Sequence, residues 1–597
     1  MTAVARPAAR AQSVVQRAYV YAVALVAVHM IVLGVANILR VLAEIALGAP
    51  SGGFTGLPFV FADFNRPADL YREQASLAIA LLAVGTPAFW WHFRLAQRAA
   101  AHAVEERASA LRSLYMHTVV FVTALLVFGY GQRALRLVLQ GVTFGTADSS
   151  QAFFGLEAEW PARAAGAAAM AVTAAVALAF HLRLSWGDRG AVTIAGRAAD
   201  IRHLALYALV VIGLFFATFN TAGTLAGVWR RVADGVVPLS GVPGNLAPAP
   251  PPQVEPDPRR PQSTFPPGVR PKPPVPSQDE ILRFELLGAV PAILAGIALW
   301  LGMWLALQRW LASAPDRDVD QRSSIRKLAI YLMVLVSALT VLVSTTFAVG
   351  TVGRVLLGDP AVEPFRSMWH DLGSTVPFAI VFGAVWIFHR RVVESEATRE
   401  TEVARALTIR RLYVYLISAI GLAMAAIGAA GAIGVLGSQV MGMNTHERSE
   451  TATYIALVIV GGAAWLFHWR TALARLDDDE RRSLPRRLYL YLAILGGVLG
   501  LLVFGSAALY RLLNAALALS FTVATWHDVW HFVIDSAVAG LVALWSFRMM
   551  REDRSALGAA ADETYGVMVM VRASDRAAAR ARVAQLIGAD TDVSLKG

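Results

Sequence analysis

Arg410-Arg-Leu-Tyr413-Val-Tyr415 opens one long apolar run, and Ala463-Ala-Trp465-Leu-Phe-His468-Trp-Arg470 closes the next one. Together the two stretches predict a helical hairpin with basic and aromatic residues at the end where the first helix begins and the second helix ends. Related pairs recur six times along the chain, so we interpret the hairpin as a tandem unit. The opening signature stands at 17–21, 112–117, 202–207, 326–331, 410–415 and 486–491. The closing signature is Phe89/His92/Arg94, Leu178/His181/Arg183, Trp386/His389/Arg391 and Trp465/His468/Arg470, with Trp304/Leu307/Arg309 and Trp545/Arg548/Met550 as departures.

The composition is that of an integral membrane protein, since 56% of the 597 residues are hydrophobic and only 16% are charged. A membrane span needs about 20 mainly apolar residues. Runs of that kind lie near 19–45, 76–93, 113–140, 163–182, 203–229, 285–308, 328–357, 373–389, 412–438, 452–469, 488–514 and 529–549. Twelve spans correspond to two in each unit.

Lys and Arg cluster where first helices begin and second helices end, whereas the opposite loops hold few, for example only Arg448 between the ninth and tenth spans. The positive-inside rule therefore predicts that both termini are cytoplasmic. The net charge of +11 then reflects arginines beside an anionic membrane surface, and no soluble basic domain indicates nucleic-acid binding. A bacterial inner membrane is the expected location.

The predicted fold is all-α and transmembrane, with about twelve spanning helices arranged as six tandem two-helix repeats. A small cytoplasmic tail follows the last repeat. We place the repeats at 1–110, 111–198, 199–318, 319–402, 403–480 and 481–552, and the tail at 553–597.

Two segments outside the spans are candidate docking sites for protein partners. The third repeat contains a proline-rich outer loop at 236–280, whose composition favours extended polyproline conformations. In the tail, 566–572 and 592–595 are β-prone and flank a stretch expected to be helical up to Ile587, which predicts a small β-α-β element. Besides these segments the bilayer is the only partner that we expect, and the sequence leaves the oligomeric state open.

The four repeated histidines are the first candidate cofactor ligands: His92, His181, His389 and His468. Paired helices can present imidazoles to a haem iron. However, each of these histidines stands two residues from an arginine, and the third and sixth units replace it with Leu307 and Arg548. We therefore favour a structural histidine that bonds a neighbouring helix or a headgroup, next to arginines that extend toward water and interfacial tyrosines.

The tripeptide Trp-His-Asp begins the second helix of both the fourth and the sixth unit, and it supplies the candidate metal ligands. These are His370 and Asp371 in the fourth unit, and His527, His531 and Asp535 in the sixth. The last three are spaced by four residues and share one helix face, where they could bind a divalent metal or relay protons. A polar stripe facing another helix is the alternative that we favour, because one straight helix does not bring three ligands to one ion.

The absence of cysteine excludes disulfides, thiolate metal sites, iron–sulfur clusters and covalent c-type haem. No cofactor is predicted, while haem b and a divalent metal remain open. The sequence contains neither a catalytic triad nor a Walker or Rossmann motif.

The motifs themselves carry a resemblance. The Arg-Arg-Leu-Tyr-x-Tyr helix and the second helix ending as in Gly85-Thr-Pro87-Ala-Phe89-Trp-Trp-His92-Phe-Arg94 or 463–470 resemble a bacterial membrane domain of unknown function that occurs in tandem copies. The resemblance covers almost all of 1–550 and implies a repeated membrane module without an assigned reaction.

Three hypotheses for the function follow. The first is a non-enzymatic scaffold, or a partner-binding or signalling protein, because regular helix anchors occur without converging reactive groups. The second is a transporter or channel, since repeats often build such proteins. The third is a membrane redox protein that binds haem or metal through the histidines.

Overall fold

The computed structural model describes residues 14–48, 67–145, 160–236, 277–313, 323–358, 366–397, 404–442 and 448–561, together with positions 575, 577, 578 and 581. Every regular element within these residues is a helix. Most of the proline-rich loop and nearly all of the predicted β-α-β tail lie outside the described residues.

Twelve of the fourteen described helices are long and apolar enough to cross a membrane, so the chain is a polytopic membrane protein. Helical structure follows from the apolar environment, in which each backbone amide must find its partner inside the segment. The helices are α1 (Val14–Leu47), α2 (Pro67–His102), α3 (Val104–Arg107), α4 (Ala110–Phe144), α5 (Trp160–Ala191), α6 (Arg197–Val236), α7 (Gln278–Ser313), α8 (Ser324–Leu356), α9 (Arg366–Ala397), α10 (Ala404–Val440), α11 (Arg448–Leu473), α12 (Asp478–Arg482), α13 (Leu484–Leu517) and α14 (Val523–Ala561).

Consecutive long helices form hairpins with extensive contact: α1/α2, α4/α5, α6/α7, α8/α9, α10/α11 and α13/α14. Glycine allows a close approach of the two helices in the α10/α11 hairpin. A Cβ built on Gly421 would lie 2.6 Å from the backbone nitrogen of Trp465, and one on Gly461 would lie 2.6 Å from the Cβ of Met424. Small residues at such crossings let helices gain van der Waals contact in lipid.

The hairpins are arranged in a row. The first helices α1, α4, α6, α8, α10 and α13 contact one another in chain order. In addition, the first helix of each unit packs against the second helix of the next unit, through α1/α5, α4/α7, α6/α9, α8/α11 and α10/α14. The largest buried cluster accordingly lies between successive first helices and includes Tyr207, Val210 and Met333. Each first helix up to α10 is thus covered by the following unit.

The row is open among the described residues, because no comparable contact joins its first unit to its sixth. As a result α13, the last of the first helices, lacks the second helix that a following unit would provide. Only 11% of the apolar window of α13 is buried, compared with 50% of that of α8. One face of α13 is therefore not covered by another helix among the described residues.

Candidate functional site in paired polar networks at the helix ends

Two short helices, α3 and α12, carry the glutamates of the candidate site, Glu106 and Glu480. The pattern Glu-Arg-x-Ser-x-x-Arg-x-Leu-Tyr occurs at 106–115 and again at 480–489. In both copies the serine caps the following long helix, because the Ser109 hydroxyl accepts from the Arg112 amide at 3.3 Å and Ser483 accepts from Arg486 at 3.4 Å. The cap fixes the distance between the glutamate and the arginine, so both copies present the two charges in the same way.

In the first copy Glu106 joins the first unit to the connection between units. Arg17 donates to one of its carboxylate oxygens at 2.7 Å, and the Tyr21 hydroxyl donates to the other at 2.8 Å. Glu106 and Tyr21 are each 5% exposed. Both oxygens of this buried carboxylate are therefore satisfied, as a buried charge requires.

A second ion pair lies next to the first. Arg112, 2% exposed, donates to both oxygens of Asp188 with its Nε at 2.6 Å and its Nη2 at 3.2 Å. Asp188 lies near the end of α5, so this pair connects the start and the end of the second hairpin. The Tyr21 and Tyr115 rings pack at a centroid distance of 5.5 Å. We call these groups network A: Arg17, Tyr21, Glu106, Arg112, Tyr115 and Asp188.

Network B repeats this geometry in the last two units. Arg411 donates to Glu480 at 2.6 Å and Tyr415 donates to the same carboxylate at 2.8 Å. Arg486 donates to both oxygens of Asp553, at 2.6 and 3.0 Å, and its Nη1 donates to the Tyr415 hydroxyl at 3.3 Å. The members of network B are Arg411, Tyr415, Glu480, Arg486, Tyr489 and Asp553. Each network therefore links two consecutive units into a four-helix group.

This geometry differs from the expectation that the arginines of the first helices extend toward water. Arg112, Arg202, Arg326 and Arg486 are between 1% and 5% exposed. For Arg112 and Arg486 the reason is the long-range pairing with Asp188 and Asp553, since a guanidinium can stay buried when a carboxylate matches its charge and its fork of donors. Sequence reasoning missed all four acidic partners, although the repeated pattern at 106–115 and 480–489 was a signal for the two glutamates.

The repeated histidines form a second shared arrangement. His92, His181, His389 and His468 each place Nδ1 at 2.8 or 2.9 Å from the carbonyl oxygen four residues earlier. A carbonyl only accepts, so in the neutral ring Nδ1 donates and Nε2 is left as an acceptor. The hydroxyls of Tyr115 and Tyr413 donate to this nitrogen, at 2.9 Å from the Nε2 of His181 and 3.1 Å from the Nε2 of His468.

The units that lack the tyrosine or the histidine of the motif support this pairing. In the third unit Ala205 and Leu307 replace the tyrosine and the histidine together. In the fourth unit Ala329 replaces the tyrosine, and the Nε2 of His389 has no hydrogen-bond partner among the described residues although the side chain is 1% exposed. In the first unit the His92 ring packs edge-on against Tyr19 at 5.4 Å. For His181 or His468 to bind a haem iron through Nε2, the bond to tyrosine would have to break.

Of the metal candidates of the sixth unit, His531 lies between α14 and α10. The His527 and His531 rings are 4.6 Å apart, and the Nε2 of His531 lies 3.0 Å from the Ser438 hydroxyl. Asp528 pairs with Arg511 at 3.3 Å. Asp535 is partly buried farther along α14, and the described residues give its carboxylate neither a hydrogen bond nor an ion pair.

In the fourth unit the two candidates face different neighbours. His370 lies 3.5 Å from the carboxylate of Asp234 on α6, whereas Asp371 accepts from Arg354 on α8 at 2.9 Å. The Arg354–Asp371 pair corresponds to the Arg511–Asp528 pair, with the same spacing of 17 residues. The aspartate of Trp-His-Asp thus connects the two helices of its own hairpin at the end opposite the networks. Within the described part of the chain, no three His, Asp or Glu side chains converge in a way that could hold a metal ion.

The comparisons with known proteins agree with the motif resemblance. No curated protein and no solved structure matches the chain significantly. The profile of a family described as Domain of unknown function (DUF5671) matches residues 17–158 and 411–546. The first match includes most of network A and the second includes most of network B. Two regions of the chain are therefore similar to this uncharacterised domain: the first spans α1 to α4, and the second spans α10 to α13 and the first part of α14.

Proposed function

We propose that the protein is a non-enzymatic membrane scaffold that assembles with a second copy of itself along α13. The observation that carries this proposal is a leucine stripe on the exposed face of that helix. Its members follow a spacing of four and three residues, interrupted only at Ser506: Leu488, Leu492, Leu495, Leu499, Leu502, Leu509 and Leu513. Each of these leucines is between 46% and 58% exposed.

A strict heptad spacing is the pattern that two supercoiled helices use to interlock their side chains. Lipid contact alone requires apolar residues but no such period.

A second copy suits this face because both chains have the same orientation in the membrane. A twofold axis along the membrane normal then sets two α13 helices parallel, and one stripe meets an identical one. Parallel helices with leucine at both core positions pack in register in this way. Contact would come from van der Waals packing, since lipid supplies no hydrophobic drive between helices.

The polar groups also favour a structural function. Networks A and B pair their arginines with carboxylates, and the Tyr–His bonds occupy the imidazoles of two units. Groups paired in this way stabilise the row and leave few free nucleophiles or bases. We further propose a bacterial inner membrane with both termini inside, on the basis of the arginines at the network end. The outer loop and the tail remain proposed partner-docking segments.

Disulfide crosslinking in membranes tests the assembly, and the chain without cysteine provides a clean background. Leu499→Cys and Leu502→Cys should each give a crosslinked dimer under mild oxidation. Leu501→Cys is the control, because Leu501 lies on the same helix but its side chain contacts α14 near Gly540. Monomers at both stripe positions, an adduct with a different protein, or equal dimer at position 501 would contradict the proposal.

A transporter is the second candidate, and Asp535 is the observation that favours it. An unpaired carboxylate 12 residues into a spanning helix is costly and is often a site of ion coupling. Proteoliposomes with the intact chain should then show proton or cation flux that Asp535→Asn abolishes and Asp528→Asn retains. Equal flux in liposomes without protein would exclude this function for the ions tested.

A further inference from the structure

A cleft between the fourth and fifth units has a charge that the networks lack. It lies where α8 and α9 meet α10 and α11, and its polar lining includes Arg390, Arg410, Arg475 and Glu394. Three arginines and one glutamate give this lining a formal charge of +2. In networks A and B, by contrast, two arginines pair with two carboxylates, so each network is formally neutral.

The orientation of Arg390 is fixed by its neighbours. Its Nε donates to Glu394 at 2.8 Å, and the guanidinium carbon lies 4.6 Å from the Phe467 ring centroid and 5.3 Å from that of Trp386. Stacking on aromatic rings holds a guanidinium in place without satisfying its remaining donors. Arg475 is exposed at the cleft, and the described residues give its side chain no ion pair.

The depth of the cleft corresponds to the headgroup layer. Its arginines lie within four residues of the ends of the spans Met368–Glu394, Leu407–Val440 and Arg448–Leu473. Val334, Val393 and Val414 add an apolar wall to the same cleft. The arginines suit the phosphate of a ligand, and the valines suit an acyl chain attached to it.

We propose that this cleft binds the phosphate of an anionic membrane lipid. A guanidinium offers paired donors to phosphate oxygens, and basic pockets between membrane helices are suited to lipid headgroups. Glu394 disfavours a second negative charge nearby, so the cleft selects a lipid with one phosphodiester. The proposal is independent of assembly through α13, because the cleft lies within one chain.

The test uses the purified full-length protein in phosphatidylcholine nanodiscs, with phosphatidylglycerol added in increasing amounts and bound lipid counted by native mass spectrometry. The combined change Arg390→Gln and Arg475→Gln should weaken phosphatidylglycerol retention roughly tenfold or more, as expected for two arginines at the membrane surface. Glu394→Gln should strengthen it. Arg470→Gln is the matched control, since Arg470 is exposed near the same end of α11 but does not line the cleft.

Inorganic phosphate is added in a separate arm to distinguish a lipid from a free anion. We expect retention of phosphatidylglycerol to be insensitive to it, and the double variant to unfold at the same temperature as the wild type. Unchanged retention in the double variant, an equal loss in Arg470→Gln, or weaker binding in Glu394→Gln would overturn the proposal. Full competition by inorganic phosphate would overturn the assignment to a lipid.

Discussion

Removal of the Asp553 carboxylate should be among the most destabilising changes in the described residues. Asp553 accepts two hydrogen bonds from Arg486, whose side chain is 1% exposed. In Asp553→Ala the guanidinium keeps its bond to Tyr415 and its position 5.2 Å above the Trp469 ring, but its charge becomes uncompensated. Breaking a buried pair from one side costs about 3–5 kcal/mol, and little solvent is present to screen the loss.

A matched pair at the opposite end provides the control. Arg511 and Asp528 are 47% and 36% exposed and lie 3.3 Å apart. Exposed pairs contribute about 0–1 kcal/mol, so Asp528→Ala should have little effect on the free energy of unfolding. The double variant Arg486→Met and Asp553→Leu should recover most of the lost stability, because apolar residues of similar size often replace a buried pair without net cost.

Reversible unfolding in mixed micelles, titrated with a denaturing detergent, gives the free energies for all four proteins. The reasoning would be refuted if Asp553→Ala lost no more than Asp528→Ala. It would also be refuted if the double variant were as unstable as Asp553→Ala, because the loss would then come from packing and not from the unpaired charge.

Three further predictions concern the tyrosine–histidine bonds, the glycine crossing and the cofactor hypothesis. Tyr115→Phe should cost about 1–3 kcal/mol of unfolding free energy, because the buried Nε2 of His181 loses its donor, whereas the exposed Tyr510→Phe should change it by less than about 0.5 kcal/mol. Gly461→Ala should cost about 1–3 kcal/mol, since its Cβ would lie 2.6 Å from that of Met424. The neighbouring Gly462→Ala should be neutral or stabilising by up to about 1 kcal/mol, since its Cβ would meet nothing within 4 Å; equal effects at the two glycines would contradict the packing argument. The purified protein should show no haem absorption band in the Soret region and no stoichiometric metal. A haem band or a bound metal would contradict this expectation and would indicate that the four repeated histidines bind a cofactor.

The helices were predictable from the sequence because lipid makes apolar length a strong signal. The fifth and tenth predicted spans, 203–229 and 452–469, fall within Arg197–Val236 and Arg448–Leu473. The helices are longer than the spans since they continue into the polar layer, where hydropathy no longer identifies them. The long Gly-rich stretch 421–437 also forms a helix, because neighbouring helices cover its glycines.

The polar site was predictable only in part, because its partners are distant in sequence. Arg112 and Asp188 are 76 residues apart, and nothing local in either stretch indicates the pair. The histidines were visible as a repeat, but their partners became clear only once the hairpin brought Tyr115 beside His181. Asp371 was considered as a metal ligand. The equal spacing of Asp371 from Arg354 and of Asp528 from Arg511 was the overlooked sign of a bond between helices.

The measurement that tests the scaffold proposal most directly is the mass of the particle extracted from native membranes in lipid nanodiscs without detergent. The wild type should give the mass of two chains, and replacement of Leu495 and Leu502 by alanine should give the mass of one chain with unchanged thermal unfolding. A wild-type particle containing one chain, or an alanine variant that remains a dimer, would contradict assembly through the leucine stripe of α13.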